Sequence, residues 1–470
     1  MKSTAGLAVM LLALLSLAGC SLHSDDDLYH IPEPPREFQN LTNRISTVTD
    51  QGAEYSAPLS GENIQNIQLQ DLDGDGAVDS AITFFRMSGE ENPLKIYIYR
   101  QTEGDYELEA VIEGAGTAIN YVDYVNLDDK PDKEIVVSWQ YSDKLHFLDA
   151  YRVSGGQVVQ MLHTDYTYFK IFDMDRNNDQ EIVVINQQTD LPGQVEIYDC
   201  RDGLMELDSA AEISRTDLMT AEAGQAAASI KESDVRKGYL KDMVPAIFVT
   251  SDLFRESSNF RYTDIFAWES GEDGKKTLRN VTLDPEQGYS VSTVGNYAVV
   301  GPTDINKDSI LELPSSVEIR EYKSTGTVPN FWLNRWNQYD AEGQPHYIYS
   351  TYYNDRDGWY LELPEEWLGK ITLSRSDTAG GGERAVIFSY WEEDSGEEPI
   401  PFLTIYRLAG SNRVSRAGLP GRFRLADSGE ENPSILYAAR FEEHGWDCGL
   451  DEEELRAKFH VIRADWGSFD

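Results

Sequence analysis

Three nine-residue stretches of this chain carry an oxygen-bearing side chain at nearly every second position. They run Asp71, Asp73, Asp75, Ala77, Asp79; then Asp173, Asp175, Asn177, Asp179, Glu181; then Asp304, Asn306, Asp308, Ile310, Glu312. Alternate side chains of a tight loop point inward, so positions 1, 3, 5 and 9 turn their oxygens to one point. The backbone carbonyl of position 7 (Ala77, Asp179 or Ile310) completes the set. A hard cation that takes six to eight oxygens suits such a loop, and the chemistry expected is Ca2+ binding. Gly74 and Gly76 permit the positive φ that so sharp a turn needs. An EF-hand opens with the same spacing but requires glutamate at position 12 and flanking helices. Position 12 is Ile82 and the flank is the strand-like run Ala81 to Phe85, which excludes it.

Two worn copies lie between these loops. Asn126, Asp128, Lys130, Asp132 and Glu134 form one, and Lys130 puts a cation where a ligand belongs. The other keeps only its end positions, Asp234 and Asp242, with Arg236 and Gly238 at positions 3 and 5. Neither is expected to hold calcium. No HExxH, GxSxG, GxGxxG or GxxxxGK[ST] motif occurs, and the seven histidines are scattered. Carboxylate pairs abound in so acidic a chain and carry no catalytic signal.

The elements that position these loops read as short strands. Runs such as Leu94 to Tyr99, Glu134 to Val137, Glu181 to Val184, Pro245 to Val249 and Ala385 to Phe388 are rich in β-branched and aromatic residues. Gly, Asp, Asn and Ser turns split them, and Gly380 to Gly382 reads as a hairpin turn. Helical periodicity is confined to Asp217 to Lys231 and Asp451 to Lys458, with one short helix near Phe38 to Ile45. The loop starts at 71, 126, 173, 234 and 304 lie about 58 residues apart on average. A repeat of that length holds several strands, and radial closure of such units leaves no long open edge. The fold class expected is all-β, a β-propeller of seven blades, with six or eight left open because the last third has no clean loop.

The loop pattern entering a hydrophobic strand resembles the FG-GAP/VCBS repeat, the blade unit of integrin-α-like propellers. The resemblance covers roughly residues 56 to 470; it is specific at three loops and thin beyond about residue 320. It implies a calcium-stabilised propeller used for adhesion or ligand binding. The family's calcium ligands carry over onto Asp71, Asp73, Asp75 and Asp79. They carry over likewise onto Asp173, Asp175, Asn177 and Glu181 with the carbonyl of Asp179, and onto Asp304, Asn306, Asp308 and Glu312 with the carbonyl of Ile310.

At the amino end, Lys2 precedes an uncharged apolar run from Leu7 to Leu17, too short to span a bilayer and of secretory type. It ends in Leu17-Ala18-Gly19-Cys20, which resembles the lipobox of bacterial lipoproteins. That resemblance implies a signal peptide over 1–19, diacylglycerol on Cys20, and an extracytoplasmic protein held at a membrane by its acyl chains. Residues 20–55 are then expected to form a polar tether and 56–470 the propeller. Asp and Glu number 82 against 40 Lys and Arg, a formal net charge of −42. Such a surface repels phosphate backbones, so nucleic acid is excluded as a partner. Cys200 and Cys448 remain, and spacing alone does not decide whether they pair.

Aromatic residues gather late in the chain. Trp332, Asn334 and Trp336 alternate on one strand face, and Tyr347, Tyr349, Tyr352, Tyr353, Trp359, Tyr360 and Trp367 follow. Packing between neighbouring sheets is their expected role; stacking on sugar rings is the alternative, with Trp332, Trp336 and Trp359 as the ligand-binding aromatics. The function expected is non-catalytic binding of a glycan, a cell-wall polymer or a protein partner. The alternatives are a polysaccharide lyase or hydrolase, drawing on Arg335, Tyr353 and Arg356, or an envelope assembly factor.

Overall fold

The computed structural model describes residues 36–187, 193–214, 227–230, 234–254, 259–271, 275–286, 288, 290, 293–295, 301–323, 331–378, 382–392, 396–427, 434–443 and 446–462. The expected signal peptide, the expected lipidation site at Cys20 and most of the expected helix from Asp217 to Lys231 lie outside them. Within that last stretch, Ala227–Ser229 is strand.

The all-β class expected from the strand pattern holds. Among the described residues the strands form six antiparallel sheets in chain order. The first pairs Ile67–Gln70, Ser80–Arg86, Leu94–Thr102 and Asp105–Gly114, with Glu54–Tyr55 beside Ser80–Arg86. The second holds Ala118–Val125, Glu134–Gln140, His146–Ser154 and Gln157–Tyr166. The third holds Tyr168–Phe172, Glu181–Asn186, Gln194–Arg201 and Leu204–Glu212. The fourth is built on Val235–Leu240, Val244–Phe254, Asn259–Ser270 and Lys276–Asn280. The fifth runs Leu313–Glu318, Trp332–Tyr339, Pro345–Asn354, Trp359–Leu363 and Phe459–Val461. The sixth runs Ile371–Thr378, Glu383–Tyr390, Ile400–Ala409, Ile435–Phe441 and Phe423–Asp427. In the first three sheets the second strand is buried along nearly its whole length, which explains why those strands read as unbroken apolar runs rather than alternating ones.

The chain forms two compact units. One runs through Tyr124 and adds Pro131–Asp143 and Asp149–Gln160; the other comprises Val125–Lys130, Lys144–Leu148 and the chain from Met161. The first unit is filled by Leu72, Ile82, Phe84, Ile96, Ile112 and Trp139. The second has one core around Val183, Ile197, Val249 and Phe266 and another around Tyr352, Trp359, Trp367, Phe388 and Phe402.

The helix expected near Phe38 to Ile45 extends over Arg36–Thr49. Its Leu41 and Ile45 are buried with Phe85, Tyr99 and Tyr106, so residues 36–55, read from sequence as the end of a tether, are folded onto the first sheet. The short helix Glu452–Lys458 also forms. Asp451 caps it by accepting from the Glu453 and Glu454 N–H groups, with Glu454 completing the capping box. The worn repeat at Asp234 is corrected: Val235–Leu240 is a strand paired with Val244–Phe254, and only Lys241–Met243 turns between them. Its acidic end positions matched the loop spacing, yet Asp242 and Met243 take up the reversal with φ of 61° and 58°.

In the fourth sheet Asp264 is fully buried and accepts from the Ser214 N–H, the Ser214 hydroxyl and the Asn280 amide. Burial pushes its carboxyl up to about 6, against those hydrogen bonds, which pull it down. The folded state therefore holds this proton to higher pH than the unfolded chain, whose value is about 3.9. Stability is then lost as pH rises from about 4 to 6 and is flat above. The expected result is that wild type loses about 3 kcal/mol relative to Asp264→Asn across that window. Urea titrations of both proteins at pH 4, 5, 6 and 7 check it, and a constant difference would refute it.

Candidate functional site

The first two acidic loops each join the first strand of a repeat to the second, and the third leads into the first strand of its sheet. Asp71 to Asp79 lies between Ile67–Gln70 and Ser80–Arg86, and Asp173 to Glu181 lies between Tyr168–Phe172 and Glu181–Asn186. Asp304 to Glu312 is closed at its base by the Thr303–Glu312 bridge before Leu313–Glu318.

The loops share one hydrogen-bond skeleton. The position 1 carboxylate takes two backbone N–H groups: Gly74 and Gly76 donate to Asp71, Arg176 and Asn178 to Asp173, Asp308 and Ser309 to Asp304. Position 3 accepts from the N–H of position 5, and position 5 from that of position 7. In the second and third loops the closing glutamate accepts from position 2, Met174 to Glu181 at 2.5 Å and Ile305 to Glu312 at 2.9 Å. Positions 4 and 6 have positive φ throughout, at Gly74 and Gly76, Arg176 and Asn178, Lys307 and Ser309. For non-glycine residues that conformation costs on the order of 1 kcal/mol each. Gly74 has a second reason to lack a side chain, because a Cβ there would stand 2.0 Å from the Pro131 carbonyl oxygen.

Consecutive repeats are also fastened to one another. The position 8 N–H donates to a carbonyl of the preceding repeat: Lys133 to Leu72 at 2.8 Å and Gln180 to Asn126 at 2.9 Å in the preceding loop, and Leu311 to Tyr239 at 3.0 Å in the strand Val235–Leu240. This regularity leaves no mark in the sequence, because backbone atoms carry it.

The loops differ in what stands opposite their carboxylates. Carboxylate oxygens of Asp71, Asp73 and Asp75 lie within 4.8 Å of one another, as do those of Asp173, Asp175 and Glu181, and either cluster can hold a metal ion. In the first loop, however, the Arg100 guanidinium reaches Asp73 at 2.5 Å and Asp79 at 3.3 Å, and its Nε meets Glu109 at 3.0 Å. The Arg100 hydrogen bond holds Asp73 below the usual carboxylate range even though desolvation raises it. In the worn loop Lys130 Nζ lies 2.6 Å from Asp128, and Glu134 pairs with Arg152 at 3.1 Å. In the third loop Gln338 donates to both Asp308 and Glu312 at 2.7 Å.

The loop at 173 has no cation within ion-pair distance of Asp173, Asp175 or Glu181 among the described residues. Glu181 is 2% exposed, and burial followed by the charges of Asp175, Asp173 and Asp199 pushes it up to about 8. Asp199 follows Tyr198, which pairs with Ile182, so the next strand adds a further carboxylate beside the loop. Asp199 faces Arg201 at 4.0 Å. Buried carboxylates crowded by like charges are what a divalent cation neutralises, and this donor set fits one. Glu312 is buried in the same way and pushed up to about 7, chiefly by desolvation.

The aromatic candidates divide. Trp336 and Trp359 are wholly buried: the indole N–H of Trp336 donates to Thr351 at 2.9 Å, and Trp359 packs on Tyr352 and Phe459. Trp332 is partly exposed. Arg335 lies over the Tyr347 ring, Arg356 pairs with Asp377, and Tyr353 packs against the cluster of Ile305, Trp336 and Tyr360. Each therefore has a structural role, and they present no common reactive centre. Cys200 and Cys448 do not form a disulfide. No helix among the described residues is long and apolar enough to cross a membrane.

No protein-family model matches the chain, and no curated protein matches it significantly.

Proposed function

We propose that this chain is a lipid-anchored, extracytoplasmic β-propeller that binds a glycan, cell-wall polymer or protein partner without catalysis, and that calcium holds its loop at 173 in shape. The carrying observation is the hydrogen bond from position 8 of three loops back to the preceding repeat, together with one repeated loop skeleton. A ring of blades is the arrangement in which every repeat meets its predecessor in the same way. Six sheets account for the described residues, so the reading takes six blades as its working count in place of seven, with Phe459–Val461 joining the fifth. Asp173, Asp175, Asn177 and Glu181 side chains and the Asp179 carbonyl would hold the ion, which supplies charge neutralisation and no chemistry.

The anchor rests on the box ending at Cys20, and the exclusion of nucleic acid on the net charge of −42. The ligand reading rests on the absence of a recognisable catalytic set in the sequence and on the structural partners of Arg335, Tyr353 and Arg356. An immobilised polysaccharide and peptidoglycan panel, run with calcium and assayed for cleavage products, tests it. Retention without new chain ends is expected. New reducing or unsaturated ends would replace the reading with the lyase or hydrolase alternative, and co-purification with a stable complex but no retention would favour the assembly factor.

A further inference from the structure

The first loop has the clearest calcium spelling in the sequence, yet its side chains disagree with it. We infer that Arg100 is a resident counter-cation that stands in for the metal of the first loop, so that metal dependence in this chain belongs to the loop at 173. The inference rests on the calcium reading for its second half only; the first half concerns the protein's own charges.

The geometry carries it. Arg100 enters from Leu94–Thr102, the third strand of the first sheet, where it pairs with Ser80 immediately after the loop. One nitrogen bridges Asp73 and Asp79, positions 3 and 9, while Nε is held by Glu109 on the next strand. Positions 3 and 9 are two of the carboxylates that would converge on an ion, so guanidinium and metal compete for the same oxygens. A planar, permanently charged fork suits this better than lysine would, because it engages separate carboxylates at fixed angles. Asp71 is left serving the Gly74 and Gly76 N–H groups, a role that needs no ion.

The other repeats make the same adjustment with different residues. Lys130 and Arg152 bring positive charge to the worn loop, and Gln338 brings an uncharged donor to the loop at 304. At 173 the corresponding strand supplies Asp199, of the opposite sign. Residues on the strand beside the one that leaves each loop thus range from cation through amide to carboxylate, and with them the need of each loop for a metal.

Calcium titration of the folded protein by equilibrium dialysis, with melting curves in calcium and in chelator, tests the inference on wild type, Arg100→Gln, Arg100→Lys and Asp75→Asn. Asp75→Asn is expected to leave bound calcium unchanged. Arg100→Gln is expected to bind one more calcium per chain than wild type, to melt several degrees lower in chelator, and to regain that loss in calcium. Arg100→Lys should fall between and keeps the test open if the glutamine variant does not fold. Loss of one bound calcium in Asp75→Asn would overturn the inference. So would Arg100 variants that neither melt lower in chelator nor gain an ion. If wild type binds no calcium, the reading of the 173 loop fails alone, and the Arg100 variants still decide the counter-cation by their melting in chelator and their gain of an ion.

Discussion

Asp175→Ala is expected to abolish the calcium-dependent part of this protein's stability. A ligand that binds only the folded state adds about 2.7 kcal/mol at a hundredfold excess over its dissociation constant. Asp175 is the right target because its structural duty is small, one bond from the Asn177 N–H, whereas Asp173 anchors two backbone groups of the loop. In chelator the variant should melt close to wild type, since removing one of several like charges around Glu181 offsets the lost hydrogen bond. In millimolar calcium the two curves should separate, wild type rising and the variant staying. Differential scanning calorimetry at both conditions reads this directly. An equal rise in both proteins would place the ion elsewhere, and no rise in either would leave the loop as a turn held by its own N–H groups.

The second large effect concerns an aromatic residue that could be mistaken for a binding platform. Trp336→Ala is expected to cost about 3–5 kcal/mol, the range for emptying a buried aromatic site. The side chain has no exposed surface, packs with Ile305 and Tyr360, and leaves Thr351 without its indole donor when removed. Trp332→Ala on the same strand should cost less, because that ring is only partly covered. Urea unfolding of the two variants separates the roles. A Trp336→Ala protein as stable as wild type but unable to bind a glycan would contradict the packing assignment.

Much of the fold could be read from the sequence because strands covered on both faces announce themselves as apolar runs, as at Ala81 to Phe85 and Glu181 to Val184. The loops at 71, 173 and 304 were legible for a similar reason: a side chain at every second position leaves a pattern within nine residues. What could not be read was anything carried across strands. Arg100 lies 27 residues from Asp73 in sequence and meets it only because Leu94–Thr102 pairs with Ser80–Arg86. Asp199 and Gln338 are hidden in the same way. The repeat assigned at Asp234 misled because two carboxylates at the right separation resemble a loop. Arg236 and Gly238 at the inner positions were the sign that the stretch between them pairs as a strand instead. Positive φ was foreseeable at Gly74 and Gly76, but not at Arg176 or Lys307, residue types that do not favour it.

The strand Phe459–Val461 sets a schedule for the second unit. It pairs with Trp359–Leu363, about a hundred residues earlier, and the whole sixth sheet lies in the intervening chain. Contacts so far apart in sequence must wait for a large loop to close, and such closures dominate folding time. A chain crossing a membrane from its first residue would present the free edge of Trp359–Leu363 while the sixth sheet was still arriving. That interval exposes an unpaired strand to any neighbour able to add to it. The export proposed above would therefore be served by fast translocation of the last stretch or by a chaperone that shields the open edge until the clasp is made.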